Sequence, residues 1–256
     1  MDSMTMPDWA VGVTRVVVFS GAGISTDSGV PDYRGPNGVW TRDPSATAGF
    51  SIDSFLADQA TRAGLWRTYR DHAAWAARPN VAHEALADLE RSGVAMRVLT
   101  QNVDGLHQRA GVSPRKVLEL HGSMRETVCV SCRRRISTES LLDRVRAGDI
   151  DPSCVDCGGI LKPAVVMFGE KLDGDTLSRA RQIAGASQLM LAVGSSLLVE
   201  PAASLCAVAV ECGARLVIVN RDPTPYDTLA VDVIREPIGT ALPRITALLG
   251  RAAATA

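Results

Sequence analysis

The chain has 256 residues, 46% of them hydrophobic, with 27 basic and 28 acidic side chains and a formal net charge of -1. That length accommodates one large domain or a large domain with a small companion, and the near-neutral balance supplies no field for DNA or an anionic membrane. No apolar run reaches the ~18 residues of a bilayer span, and the start, MDSMTMPDWAVGVTR, has no basic stretch leading into an apolar core, so a soluble, cytoplasmic protein is expected.

The first predicted strand, 15–19, carries Val16, Val17, Val18 and Phe19 and breaks into SGAGISTDSGVPDYRG. A β-branched run ended by glycine reads as a central strand of a parallel sheet. Gly21 and Gly23 allow a tight turn whose N–H groups come close to a ligand such as a phosphate. The dinucleotide fingerprint asks for a third glycine where this chain has Thr26, so a dinucleotide would bind by a variant route. From 36 to 92 no strand is predicted. Apolar residues fall at helical spacing through Ile52, Phe55 and Leu56, through Leu65, Trp66 and Tyr69, and through Ala82, Leu86 and Leu89 behind Pro79-Asn80, which reads as a helical insertion. Further strands are predicted at 97–100, 117–120, 164–168, 188–193, 215–219 and 231–234, mostly separated by helical patterns. That alternation predicts an α/β fold with a mainly parallel sheet. Pro201 and Pro237 mark helix starts, and Gly213 and Gly250 mark helix stops.

The segment 122–163 carries Cys129-x-x-Cys132 and Cys154-x-x-Cys157, two knuckles separated by 21 residues. In a reducing compartment, where disulfides are disfavoured, paired knuckles at this spacing predict one tetrahedral zinc held by four thiolates. Such a site is closed and therefore structural; two redox dithiols are the competing reading. Cys206 and Cys212 fall on an apolar helix and read as packing. Arg133-Arg134-Arg135 reads as a solvated turn on the ribbon, so no specific nucleic-acid partner is expected.

Two polar clusters follow predicted strands: Gln101-Asn102-Val103-Asp104-Gly105 and His121-Gly122-Ser123. Both sit at the carboxyl ends of strands, where open α/β sheets bind ligands. Asn102 and Asp104 can hydrogen-bond a sugar or a carboxamide, and His121 can act as a general base near neutral pH. His83 and His107 are expected to be structural.

In order along residues 15–240, the motifs GAGIS…SGVPDYRG, QNVDGLH, ELHGS, the paired CxxC, LKPAVVMFGE, VGSSL and VNRDPTP resemble those of the sirtuins, NAD-dependent protein lysine deacylases. The resemblance implies a Rossmann-like parallel sheet with helices on both faces, a small zinc ribbon and a helical insertion. The implied boundaries are 1–35, 93–121 and 164–256 for the sheet domain, 36–92 for the insertion and 122–163 for the ribbon. It implies NAD as cofactor, with Gly21, Ala22, Gly23 and Ser25 at the diphosphate and Asp32, Tyr33 and Arg34 in a cofactor-binding loop. Gln101, Asn102 and Asp104 would line the nicotinamide ribose, Gly194, Ser195 and Ser196 would meet phosphate and ribose, and Asn220, Arg221 and Asp222 would meet the adenosine end. His121 would be the general base that deprotonates a ribose hydroxyl, with Asn102 beside it, after the acyl oxygen of the modified lysine has displaced nicotinamide. An acyl-lysine protein or peptide would pair along Val166, Met167, Phe168, Gly169 and Glu170 as an added strand. Cys129, Cys132, Cys154 and Cys157 would hold the structural zinc. The implied products are nicotinamide, free lysine and 2′-O-acyl-ADP-ribose. Transfer of ADP-ribose to protein, or a preference for a non-acetyl group, are the alternatives.

The helical insertion departs from the family in one place. Members that remove acidic acyl groups read the carboxylate with Tyr-x-x-Arg, whereas this chain has Tyr69-x-x-His72. A neutral imidazole lacks the bidentate fork of arginine, so removal of acetyl or another neutral acyl group is expected over desuccinylation.

Overall fold

The computed structural model of the protein describes residues 6–43 and 49–254. The predicted domain segments 1–35, 36–92 and 164–256 each include a few positions outside the described residues. Strands β1 (Arg15–Ser20), β2 (Ala95–Thr100), β3 (Val117–Glu119), β7 (Leu189–Val193), β8 (Arg215–Val219) and β9 (Asp232–Ile234) form a six-stranded sheet in the order β3-β2-β1-β7-β8-β9. All of its pairings are parallel. Alternation along β1 explains the two covered faces. Val16 and Val18 face one core with Leu86, Leu89, Leu242 and Ile245, from α4 (Val81–Arg91) and α9 (Ile238–Ala254). Val17 and Phe19 face the other with Ala180, Ala184, Leu205 and Cys206, from α7 (Gly174–Gly185) and α8 (Leu205–Glu211). Chain order reverses between β1 and β7, which opens a crevice at their carboxyl ends.

A second, smaller lobe joins the ribbon to most of the insertion. Strands β4 (Gly122–Cys129), β5 (Arg135–Ser137) and β6 (Leu161–Val165) make an antiparallel sheet in the order β5-β4-β6. One apolar cluster unites Phe55 of α2 (Ile52–Ala57), Leu65, Trp66 and Tyr69 of α3 (Gln59–Arg70), and Leu141, Leu142 and Val145 of α6 (Thr138–Arg146). Arg62 on α3 clasps Asp151 at 2.8 Å across the same seam. The short helices α1 (Val39–Arg42) and α5 (Leu106–Arg109) complete the described helices of four or more residues in the α class.

Four expectations shift. The strand expected at 164–168 ends at Val165 and belongs to the small sheet, because β6 pairs with β4 in place of the parallel strands. The insertion expected over 36–92 stops short of α4, whose apolar face is part of the large core. Pro201 does not start α8. The helix begins at Leu205, after a turn in which Glu200 Oε2 accepts the Ser204 N–H at 3.0 Å. Gly250 lies inside α9, where its bare backbone abuts Ser92: an added Cβ would come within 3.2 Å of Ser92 Oγ. Gly213 ends α8 as expected, at φ 90°. Among the described residues no helix is long and apolar enough to cross a membrane.

Candidate active site and metal centre

The loops after β1 and β7 touch through glycine. A Cβ on Gly21 would lie 2.7 Å from Gly194 O, and one on Gly23 would lie 2.8 Å from Gly194 Cα. Gly194 itself sits at φ 62°, the left-handed region that favours glycine. The Gly21 N–H donates to Val193 O at 3.0 Å and the Gly23 N–H to Gly194 O at 2.8 Å, which locks the cradle to the sheet. Ala22 and Ser25 lie on the 3₁₀ turn Ala22–Ser28 that follows.

Onto this cradle β2 delivers the polar cluster. Asn102 Nδ2 donates to Gly21 O at 3.1 Å and to Ser25 Oγ at 3.2 Å, and Ser25 Oγ donates to Asp104 Oδ2 at 2.8 Å. Asp104 Oδ1 accepts the Leu106 N–H at 2.9 Å, and both Asn102 and Asp104 are buried. Ser195 Oγ donates to Gln101 Oε1 at 2.7 Å across the crevice. Thus Gly21, Ser25, Gln101, Asn102, Asp104, Gly194 and Ser195 converge on one site, with Ser196 half-buried beside them.

His121 stands at the end of β3, its Nδ1 3.0 Å from the Gln101 carbonyl. A carbonyl only accepts, so Nδ1 carries the proton and Nε2 is the basic atom. Burial pushes the His121 pKa below its usual value, against the Gln101 contact, which raises it. A neutral imidazole with a bare Nε2 is the protonation state a general base requires.

The loop after the cradle folds over as an aromatic stack. Tyr33 and Trp40 ring centroids lie 4.5 Å apart, Trp40 and Phe168 5.2 Å apart, and Arg34 covers Trp40 at 4.6 Å. Burial raises the Tyr33 pKa, and the Asp104 charge adds to it. Asp32 Oδ1 accepts the Gly35 N–H at 3.0 Å. At the far end, Asn220 Nδ2 donates to Asp222 O at 2.8 Å and exposed Arg221 pairs with Asp222 at 3.0 Å. These three follow β8 directly.

Residues 166–170 form a loop bound on one side to the small lobe. The Phe168 N–H donates to Phe50 O and the Ile52 N–H to Phe168 O, both at 2.9 Å, while the Val166 N–H donates to His121 O at 2.9 Å. Glu170 Oε2 accepts the Met167 N–H at 2.8 Å and pairs with Lys162 Nζ at 2.9 Å. Lys162 Nζ also donates to Val165 O at 2.6 Å, and Gly169 turns at φ 90°. Lys162 and Trp40 are functional candidates that the sequence motifs alone do not single out. The signal for Lys162 was a lysine in a strand of a chain whose other cations are almost all arginine.

Tyr69 is buried and packs edge-on against Trp66, ring centroids 5.9 Å apart. Burial pushes its phenol far up, with the Tyr33 side chain a second cause. His72 Nδ1 accepts the Ala74 N–H at 3.1 Å and caps the turn Ala73–Trp75. Burial lowers the pKa of the half-buried His72, and the Asp104 charge opposes that.

In the ribbon, Cys129 and Cys157 Sγ atoms lie 3.5 Å apart and Cys132 and Cys154 Sγ atoms 3.7 Å apart, all four within 4.8 Å of one another. A disulfide needs ~2.05 Å. Four sulfurs at ~2.3 Å from one zinc lie about 3.8 Å apart, so the set fits a single tetrahedral ion and not two dithiols. Backbone N–H groups of Cys132, and less strongly of Ser131, draw the Cys129 thiol down to about 6. Arg134 and Arg135, from the run beside the knuckle, pair with Asp156 and Glu126.

The model of the Sir2 family matches residues 21–201. The chain belongs to the Sir2 family. It is 59% identical over 239 residues to NAD-dependent protein deacetylase 2 of Streptomyces coelicolor, covering 93% of this chain and 99% of the relative. It is 41% identical to the NAD-dependent protein deacetylase of Thermotoga maritima, covering 84% and 85%. Among solved structures, a Sir2 with a p53 peptide and NAD+ superposes with a TM-score of 0.83 at 36% identity, covering 94% of this chain and 95% of that one. Sir2 bound to an acetylated peptide gives 0.82 at 35% identity, with the same coverage. The Sir2 match accounts for the parallel sheet and for the four-cysteine lobe inserted into it.

Proposed function

We propose that the chain is an NAD-dependent protein lysine deacetylase, taking acetyl-lysine proteins or peptides to free lysine, nicotinamide and 2′-O-acetyl-ADP-ribose. The observation that carries this reading is His121, fixed as a neutral base by Gln101 O in the crevice that also holds Asn102, Asp104 and the glycine cradle. The cradle suits a diphosphate: Gly21, Ala22, Gly23 and Ser25 leave room for its oxygens, with Gly194, Ser195 and Ser196 opposite. Gln101, Asn102 and Asp104 hold the nicotinamide ribose, Asp32, Tyr33 and Arg34 close over it, and Asn220, Arg221 and Asp222 take the adenosine end. When bound, NAD supplies a ribose carbon from which nicotinamide departs. His121 Nε2 accepts a ribose hydroxyl proton, Asn102 orients the same ribose, and the Tyr33-Trp40-Phe168 stack excludes water.

The two lobes divide the work, the sheet lobe holding NAD and the loop Val166, Met167, Phe168, Gly169 and Glu170 offering its unpaired side to the substrate backbone. Zinc on Cys129, Cys132, Cys154 and Cys157 holds the small lobe's knuckles together. Tyr69 and His72 would take the acyl end, and the histidine lacks the fork of an arginine, which favours acetyl over succinyl. Four clustered thiols that serve as metal ligands require a reducing compartment, which supports a cytoplasmic location. The test is nicotinamide release from NAD with matched acetyl-lysine and unmodified peptides: release that depends on the acetyl group is expected, and release independent of it would sink the reading.

A further inference from the structure

Beneath the crevice floor a line of buried polar groups runs from the start of α4 to Asn102. His83 and His107 are 0% and 1% exposed, and their rings meet edge to face with centroids 5.1 Å apart. Ser20 Oγ donates to Thr100 Oγ1 at 2.8 Å, and Thr100 Oγ1 also accepts the Asn102 N–H at 3.1 Å. Because the Ser20 proton points to Thr100, the 2.8 Å contact between Ser20 Oγ and His107 Nε2 takes its proton from the imidazole. His107 Nδ1 is then a bare acceptor, and among the described residues it has no partner.

The second ring is complementary. Asn80 Oδ1 already accepts the N–H groups of Ala82 and His83, and the Asn80 N–H lies 3.4 Å from His83 Nδ1 in a capping box. An accepting Nδ1 leaves the proton on Nε2, and this nitrogen also has no partner among the described residues. The opposite assignment, His83 Nδ1 donating to Asn80 Oδ1 at 3.1 Å, would set two bare nitrogen lone pairs side by side, each carrying its own desolvation cost.

We propose that His83, His107, Ser20 and Thr100 form one directed hydrogen-bond chain, with His83 Nε2–H reaching His107 Nδ1 through one buried water, and that this chain positions Asn102 for catalysis. The two histidines are positioning residues; neither touches the crevice. The chain fixes the backbone of Asn102 while Gly21 O and Ser25 Oγ fix its Nδ2, and none of these bonds uses Asn102 Oδ1, the atom left for substrate. Burial holds His107 down at about 3 and His83 at about 4, so both rings stay neutral at any working pH and the chain keeps its direction.

The role assigned to Asn102 rests on the deacetylase reading, so the experiment has a spectroscopic and a kinetic arm. Long-range ¹H–¹⁵N correlation of zinc-loaded, ¹⁵N-histidine-labelled protein should show His83 and His107 as neutral Nε2–H tautomers, unchanged from about pH 8 to 5.5. His107→Phe should lower kcat on an acetyl-lysine peptide about tenfold with KM little changed, and His107→Gln, whose amide N–H reaches the same place, should restore most of it. Ser20→Ala breaks the chain with almost no change in volume and should act in the same direction if the phenylalanine variant does not fold. A proton on His107 Nδ1, or wild-type kcat in folded Ser20→Ala and His107→Phe, would overturn the proposal. Failure of the wild type to turn over acetyl peptide would strike the deacetylase reading instead and leave the tautomers to decide the chain.

Discussion

On the proposed mechanism, removing the His121 ring deletes the base that takes a ribose proton while leaving the sheet and the four thiols untouched. His121→Ala should therefore lower turnover by about 10² to 10⁴ with melting point and zinc content unchanged; turnover near wild type would take the residue out of the mechanism. Because burial lowers the His121 pKa, the base stays unprotonated further into acid, and the acid limb of kcat/KM should fall below about 6.5, the free imidazole value. His72 is the second residue with a readable consequence. His72→Arg should raise succinyl-lysine turnover relative to acetyl by the scale of one bidentate contact, about tenfold or more, measured on matched peptides. No change would show that this turn does not read the acyl group. The polar residues of the crevice were legible in the sequence because each follows a strand end, where side chains and backbone are free to meet a ligand. Ser20, Thr100, His83 and His107 were not read as a unit, since nothing local reveals that residues from four separate segments meet.

Among the elements, the loop 166–170 depends on one buried cation. Lys162, 7% exposed, holds both the Val165 carbonyl and the Glu170 carboxylate, and Glu170 in turn holds the Met167 N–H. Lys162→Met keeps the stem but leaves Glu170 without its partner, so the loop should loosen. The KM for peptide should rise about tenfold, the scale of one charged hydrogen bond, with the KM for NAD unaffected. Equal changes in both constants would mean that the whole crevice, not this loop, had moved. The apolar run around 164–168 signalled a strand, but only 164 and 165 lie in β6, and the run could not say which sheet the strand joins. That choice is made by pairing with β4, whose own residues, GSMRETVC, have no strong alternation. The same limit applies to α4, where helical periodicity was clear and the lobe it packs against was not.

For the whole molecule, the shared cluster of Phe55, Trp66, Leu141 and Leu142 makes the ribbon and the helical insertion one cooperative unit. Cys129→Ser should release zinc and expose amides of α3 and α6 together to hydrogen exchange, with β1 and β7 still protected, since the metal's binding energy is also folding energy for this lobe. Retained zinc with unchanged exchange would contradict a four-cysteine site. Acid acts on the other lobe. His83 and His107 bind protons in the unfolded chain below about 6.5 but resist them when folded, so stability is fully present above that pH and declines as pH falls toward their folded values. The Asp104 charge opposes the shift at His83, and the His83 ring adds to it at His107. The fold class was legible because alternating strands and helices permit few arrangements, and the metal site because two knuckles require one ion. The central claim concerns where the acetyl group goes, and mass analysis of the small-molecule products from NAD and an acetyl-lysine peptide tests it most directly. Nicotinamide and acetyl-ADP-ribose in equal amounts, with the peptide lighter by one acetyl group, are expected; a peptide or protein heavier by ADP-ribose and still acetylated would contradict it.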